Sequence, residues 1–325
     1  MATTVSQSSP DVVALPTTGR AAHSLPAARG EMQIIWSRFR RHTFALYGLA
    51  ILFIIMLAAT IAPLAPYGPN EIDRVNIEAR YVSPGFAPPS TIHWLGTDEL
   101  NRDMFARLLW AGRISLAIGF LSVAIGALIG IVVGALAGFY GGWLDTVLMR
   151  TTDLFLSFPF LPTVILISAM VHQYKFEGDT TLVQVGTIVS VLALLGWMDT
   201  ARLVRGQFLS LLNRDFVLAA RALGAGGRRI MLRHLIPNSL APIIVAASLN
   251  VGGFIIAESA ISFLGVGVSP PTASWGSMLA SYQAYLRYSA IAVLIPGGAI
   301  FVTVMAINFV GDGLRDALDP WLRNR

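Results

Sequence analysis

Cysteine is absent from the 325 residues, which excludes disulfide scaffolds, thiolate zinc sites, iron–sulfur ligation and cysteine nucleophiles within this polypeptide. Charge is scarce as well: 13% of the residues are charged and 55% are hydrophobic, against roughly 25% charge in a soluble globular domain. A chain so poor in charge needs a nonaqueous solvent. Lysine is almost missing, Lys175 being the single one, so the net charge of +5 rests on arginine. The arginines sit at the edges of apolar runs rather than along one polar surface, which argues against nucleic acid as a partner. Catalytic patterns are missing too. Lys175 is followed by Phe176, whereas a P-loop needs a glycine-rich turn closed by Lys and Ser or Thr, so ATP hydrolysis by that mechanism is excluded. There is no His-Glu-x-x-His pair and no glycine-framed serine elbow, and His23, His42, His93, His172 and His234 do not cluster in sequence. The expectation is a chain that is not an enzyme, with no catalytic, metal or cofactor-binding site of its own.

What the chain does have is six charge-poor apolar runs, at 43–66, 114–138, 154–171, 182–198, 240–266 and 290–310. About 20 apolar residues cross a bilayer core of roughly 30 Å as a helix, so the fold class is all-α, a polytopic membrane protein with six transmembrane helices. The organisation that follows is a partly disordered cytoplasmic tail over 1–42, a first span at 43–66 and an external segment at 67–113. A core of five spans over 114–312 contains an inner loop at 199–238, and a cytoplasmic tail closes the chain at 313–325. With the N-terminus inside, sixteen of the twenty-three basic residues fall on the inner side, so the positive-inside rule favours cytoplasmic N- and C-termini.

Ser122, Gly126, Gly130, Gly134 and Gly138 recur every four residues in the second run. In lipid, where apolar contact between helices gains little, such a ribbon of small residues lets a neighbouring helix approach closely. Prolines 159, 162, 237, 242 and 296 remove backbone donors near or within the later runs and favour kinks. Glu258 stands inside the fifth run, and an intramembrane carboxylate is a functional candidate because its burial is costly. With Asn250 and Ser262 it is a candidate for the translocation path; the other reading is a hydrogen-bonded structural role. Thr97 and Asp98 are expected to start the second helix, with Glu99 and Asp103 near its positive end. Trp94, Trp110, Trp143 and Trp275 are expected as interfacial anchors.

Residues 215–238 read DFVLAARALGAGGRRIMLRHLIPN. Leu218, Ala219, Ala220, Arg221, Ala222 and Leu223 favour a short helix, and Gly224, Gly226 and Gly227 break it. A basic amphipathic stretch from Arg228 and Arg229 follows, with Pro237 expected to end it. A small alanine-faced helix between a glycine turn and a basic helix suits a groove on a cytoplasmic partner, and it equally suits an interfacial loop whose arginines meet lipid head groups.

This stretch resembles the EAA loop of ABC-importer permeases, with Ala219, Ala220, Gly224 and Pro237 at the matching positions and Leu218 where that loop usually has glutamate. Residues 93–116 (HWLGTDELNRDMFARLLWAGRISL), 263–279 (FLGVGVSPPTASWGSML) and 308–320 (NFVGDGLRDALDP) are similar to the C-type permease subunit of dipeptide and oligopeptide importers. The resemblance covers nearly everything from residue 35 onward. It implies a type I ABC-importer permease fold in a bacterial inner membrane. The implied partners are a second permease, two cytoplasmic ATPase subunits that bind ATP and Mg, an extracytoplasmic solute-binding protein and membrane lipid. Residues 218–224, Arg228, Arg229 and Pro237 would form the ATPase-coupling loop, and peptides would be the cargo, with nickel chelates or glutathione as alternatives. An ion-coupled secondary transporter is the alternative of another class; it needs ionisable residues near the midplane, where Glu258 stands almost alone.

Overall fold

The computed structural model describes residues 31–72, 86–172 and 180–318. The expected tail over residues 1–30, Lys175 and the end of the C-terminal tail, residues 319–325, lie outside the described residues. The described chain is helical, and each helix follows from an apolar run or from its flanks. The short helix α1 (Glu31–Phe39) leads into α2 (Thr43–Thr60), the first span. Its entry is capped by the His42 ring, which accepts from the Ala45 amide at 3.1 Å.

The second span, α3 (Met104–Tyr140), is 37 residues long and starts well before the apolar run that announces it. Its cap is Asp103, which accepts from the Ala106 amide at 2.6 Å, and not Thr97 or Asp98 as expected. Asp98 is buried instead, accepting from Arg102 and ion-paired with Arg107, and Thr97 accepts from the Ala87 amide.

The third run is not one helix. Helix α4 (Gly142–Leu156) and helix α5 (Phe160–His172) meet at 83° around a break at 157–159. Pro159 supplies no amide, and the residue before a proline avoids the helical region. Helix α4 is amphipathic and escaped hydropathy reading because Asp145, Arg150 and Asp153 interrupt it. Two of those charges are paired. Arg202 reaches Asp153 at 2.5 Å, and Arg205 grips both oxygens of Asp145 at 2.5 and 2.7 Å.

Those arginines lie on α7 (Met198–Leu211), which continues α6 (Thr180–Gly196) so closely that Thr181–Leu211 runs as one span. The expectation that an inner loop begins at residue 199 is corrected accordingly: the helix carries on to Leu211, its arginines matched by α4 carboxylates. After the inner loop, α9 (Gly227–Phe263) crosses as the fifth span. Pro237 does not end the basic helix as expected. A wider π turn at Met231–Leu235 absorbs it, and the Asn238 amide and Ser239 hydroxyl donate to the carbonyls of His234 (2.6 Å) and Leu235 (2.8 Å). Side-chain donors of this kind let membrane helices carry prolines.

Helix α10 (Trp275–Gln283) follows α9, opened by a capping box at Ser274. The last span, α11 (Ala290–Leu318), extends past residue 312 where a tail was expected. Ala317 and Leu314 pack there with Phe39 and Ala45, which supplies an apolar reason for the helix to continue.

Helix α3 is the axis of the bundle, touching α2, α6, α7 and α9. Its small-residue ribbon faces the fourth span: Gly126 lies against Ala193, Gly130 against Trp197 and Thr200, Gly134 against Ala201 and Val204, and Gly138 against Phe208. A Cβ at Gly130 would stand 2.6 Å from both the Trp197 carbonyl oxygen and Thr200 Cβ, so the approach requires glycine.

Candidate functional site

Two places carry chemistry, and the same helices connect them. The first is the inner loop. Helix α8 (Asp215–Ala222) has Asp215 in its first turn and Arg221 in its last, the arrangement the helix dipole favours. It ends in a Schellman motif: the Gly224 amide donates to the Arg221 carbonyl at 2.9 Å and the Ala225 amide to the Ala220 carbonyl at 3.0 Å. Gly224 has φ +79°, the left-handed conformation that this cap needs and that side chains resist.

One face of α8 is anchored. Val217 is fully buried in a cluster with Val204 and Phe208 of α7 and Ile230 and Leu235 of α9, and Ala220 packs against the same cluster. The opposite face is bare. Leu218 is 48% and Leu223 is 89% exposed, and Ala219, Arg221, Ala222, Arg228, Arg229 and Pro237 are exposed beside them. The loop is therefore a small apolar tab, held rigidly to two spans from below and uncovered above.

The second place is a cleft of about 380 Å³ bounded by the α4–α5 break, the α6–α7 junction and the middle of α9. Its wall is largely aromatic, from Phe155, Phe158, Phe160 and Phe254, and its polar groups include Asp199 and Asn250. Such a lining, mostly apolar with few polar groups, is typical of a site for small molecules. Asn250, a candidate from the sequence, lines this cleft. Glu258 and Ser262 do not line this cleft.

Glu258 is fully buried. The hydroxyls of Ser115 and Ser262 donate to its two oxygens at 3.0 and 2.8 Å, and Ser259 contributes at 3.4 Å. The same hydroxyls accept in turn: the Trp275 amide donates to Ser115 Oγ at 3.1 Å and the Val268 amide to Ser262 Oγ at 3.0 Å. Glu258 therefore ties α3, α9 and the start of α10 into one network. Trp275, expected as an interfacial anchor, is buried in it, with its indole nitrogen donating to the Leu108 carbonyl at 3.2 Å.

Asp199 escaped sequence reading because the apolar run stops at residue 198. The available signal was the lack of any proline or turn-forming cluster between Gly196 and Leu211. Between the first two spans and at the start of α3, Asp98, Arg102, Arg107 and the His93–Asp103 pair at 2.8 Å form a buried ionic knot. Among the described residues no group of acidic and histidine side chains could hold a metal ion. Burial pushes the Glu99 carboxyl above the ordinary carboxylate range and nearby Asp98 adds to that, against the pull of Arg102 and Arg107.

Residues 130–324 match the model of the binding-protein-dependent transport system inner membrane component, a stretch that contains the inner loop, the cleft and Glu258. The chain belongs to this family. Residues 31–89 of this permease match a second model, the N-terminal transmembrane domain of oligopeptide transport permease C. The oligopeptide transport system permease protein OppC of Bacillus subtilis is 38% identical over 287 residues, covering 88% of this chain and 88% of that protein. The di/tripeptide transport system permease protein DppC of Pseudomonas aeruginosa is 37% identical over 317 residues, covering 94% and 99%. The glutathione transport system permease protein GsiD of Pectobacterium atrosepticum is 39% identical over 293 residues, covering 89% and 91%. The chain is an all-α, multi-pass permease of an ABC importer, a transport subunit, and the ion-coupled alternative is set aside.

Proposed function

We propose that this permease forms half of the translocation path of an ATP-driven peptide importer in a bacterial inner membrane. It pairs with a second permease, receives cargo from an extracytoplasmic solute-binding protein and rests on two cytoplasmic ATPase subunits that bind ATP and Mg. Its N- and C-termini are cytoplasmic, and its outer surface meets lipid. The observation that carries this reading is the bare face of α8. Exposed leucine and alanine on a helix beyond the ends of the spans call for a partner, and the small side chains of Ala219 and Ala222 permit close docking. Peptide cargo is supported by the names of the oligopeptide and di/tripeptide relatives, and glutathione, itself a small peptide, falls in the same chemical class.

The coupling route follows from the anchoring of α8. Closure of the ATPase pair displaces α8, and Val217 transmits the movement through Phe208 to α7 and through Ile230 and Leu235 to α9. Both of those helices wall the cleft. The 83° break before α5 gives the third wall a place to pivot.

The test uses the outward face alone. Ala219→Trp and Leu218→Asp should leave the spans inserted and the permease pair intact. ATPase copurification and peptide uptake should each fall at least about tenfold, equivalent to about 1.4 kcal/mol of lost docking. Wild-type uptake and normal copurification in both variants would remove α8 as the coupling element.

A further inference from the structure

Asp199 is a carboxylate that no described residue answers. It lies one residue into α7, exposed, between the buried Met198 and Thr200. The two basic side chains that follow on the same helix are engaged elsewhere, Arg202 with Asp153 and Arg205 with Asp145. Among the described residues no cation pairs with Asp199 and no group donates a hydrogen bond to it. Yet it lines an aromatic-walled cleft within the span Thr181–Leu211, where an unpaired charge is costly. An acid in the first turn of a helix can serve the helix dipole, but α7 starts as a continuation of α6, the Ala201 amide bonding to the Trp197 carbonyl at 2.9 Å. A start of that kind needs little help, and helping it would not require a side chain that opens onto a cavity.

The polar lining is also directional. The fourth span contributes residues 195–199 to the cleft and α9 contributes residues from 250 to 260. The fourth span runs into the inner loop and α9 runs out of it. On each, the polar residue, Asp199 or Asn250, is therefore the lining residue nearest that loop. Phe155 and Phe158, from the α4–α5 break, supply aromatic wall beside this polar lining.

We infer that Asp199 is a solute contact in the translocation path, where its carboxylate receives a protonated amine of the passing molecule while Asn250 hydrogen-bonds the adjoining amide. This rests on the importer reading above and adds the chemical group recognised: cargo with a free ammonium group, such as an unblocked peptide N-terminus or a lysine side chain. A charge-assisted contact supplied by the solute answers the unpaired carboxylate only while cargo is present, so it favours entry of cationic groups without holding the resting path shut.

The complete transporter, reconstituted in proteoliposomes with its binding protein, tests this. Asp199→Asn should assemble normally and transport amine-bearing peptides about tenfold more slowly at saturating loaded binding protein, the size of one lost charge-assisted hydrogen bond. Asp199→Glu should keep most of the rate, because the charge is retained. Unchanged uptake in Asp199→Asn overturns the inference. So does failure of that variant to pair with the second permease, since the carboxylate would then answer a basic residue of that subunit. A second measurement does not depend on the cargo. The chain has no native cysteine, so the thiol of Asp199→Cys is unique within this subunit, whose labelling is read after the subunits are separated. It should react with a water-soluble cationic thiol reagent and be protected while loaded binding protein and ATP drive transport. An unreactive thiol in the turning-over complex overturns the inference as well. Failure of the peptide reading would show separately, as a wild-type transporter that takes up no peptide while the thiol still reports an open, protectable path.

Discussion

Glu258 and Asp199 are both carboxylates on membrane-spanning helices, and the regions around them are opposites. Around Glu258 three serine hydroxyls converge on two oxygens in a buried interior. Around Asp199 the wall is aromatic, the side chain is open to a cleft, and the nearby arginines are spoken for. A buried acceptor ringed by donors holds helices together, because removing it strands every donor at once. An acceptor without donors contributes little to the fold and waits for a ligand. The difference shows that an intramembrane charge is not by itself a mark of function; its partners decide.

The largest effect that tests this contrast is on Glu258. Glu258→Ala should strand Ser115 and Ser262 and open a cavity, costing about 2–4 kcal/mol, read as a lower unfolding midpoint of the purified permease. Glu258→Gln keeps an acceptor and the shape, and should stay within about 1.5 kcal/mol of wild type. Asp199→Ala should lie within about 0.5 kcal/mol of wild type in the same assay. Equal losses at Glu258 and Asp199 would break the comparison.

An intermediate effect is expected where α3 supports the wall of the cleft. Gly134→Leu would press on Ala201 and Val204 and should cost about 1–3 kcal/mol, as overpacking does. It should also displace α7 and slow transport. A variant of normal stability and rate would mean that α3 and α7 can part without consequence.

The smallest effect concerns Glu99, a carboxylate between the two extremes. Its folded carboxyl titrates above the ordinary value of 4.5, because of burial and then Asp98, so folding takes up a proton there. Its contribution to stability is therefore greatest below about pH 4.5 and declines as pH rises through the raised value. Glu99→Gln should flatten that part of the stability profile, and an unchanged slope would assign it to another group.

The prolines show how far local reading reached. Five were expected to favour kinks, yet Pro242 and Pro296 lie within helices, Pro237 is absorbed by a π turn and two side-chain donors, and a sharp break stands at Pro159. The residue is the same each time, and its local sequence does not tell these outcomes apart. The glycine ribbon was legible as a packing face, because its four-residue spacing is a property of one helix. That its partner is the fourth span was not legible.

The sequence by itself determined that this chain is a polytopic α-helical membrane protein with a short helix and glycine turn in its inner loop. Those features depend on run length, periodicity and the backbone freedom of single residues such as Gly224. Only the tertiary structure decided which carboxylate is sealed and which is open, that α7 prolongs the fourth span, and that Trp275 is core. Ser115 and Glu258 are 143 residues apart; a hydrogen bond between them is set by how α3 and α9 pack, and no local pattern encodes that contact.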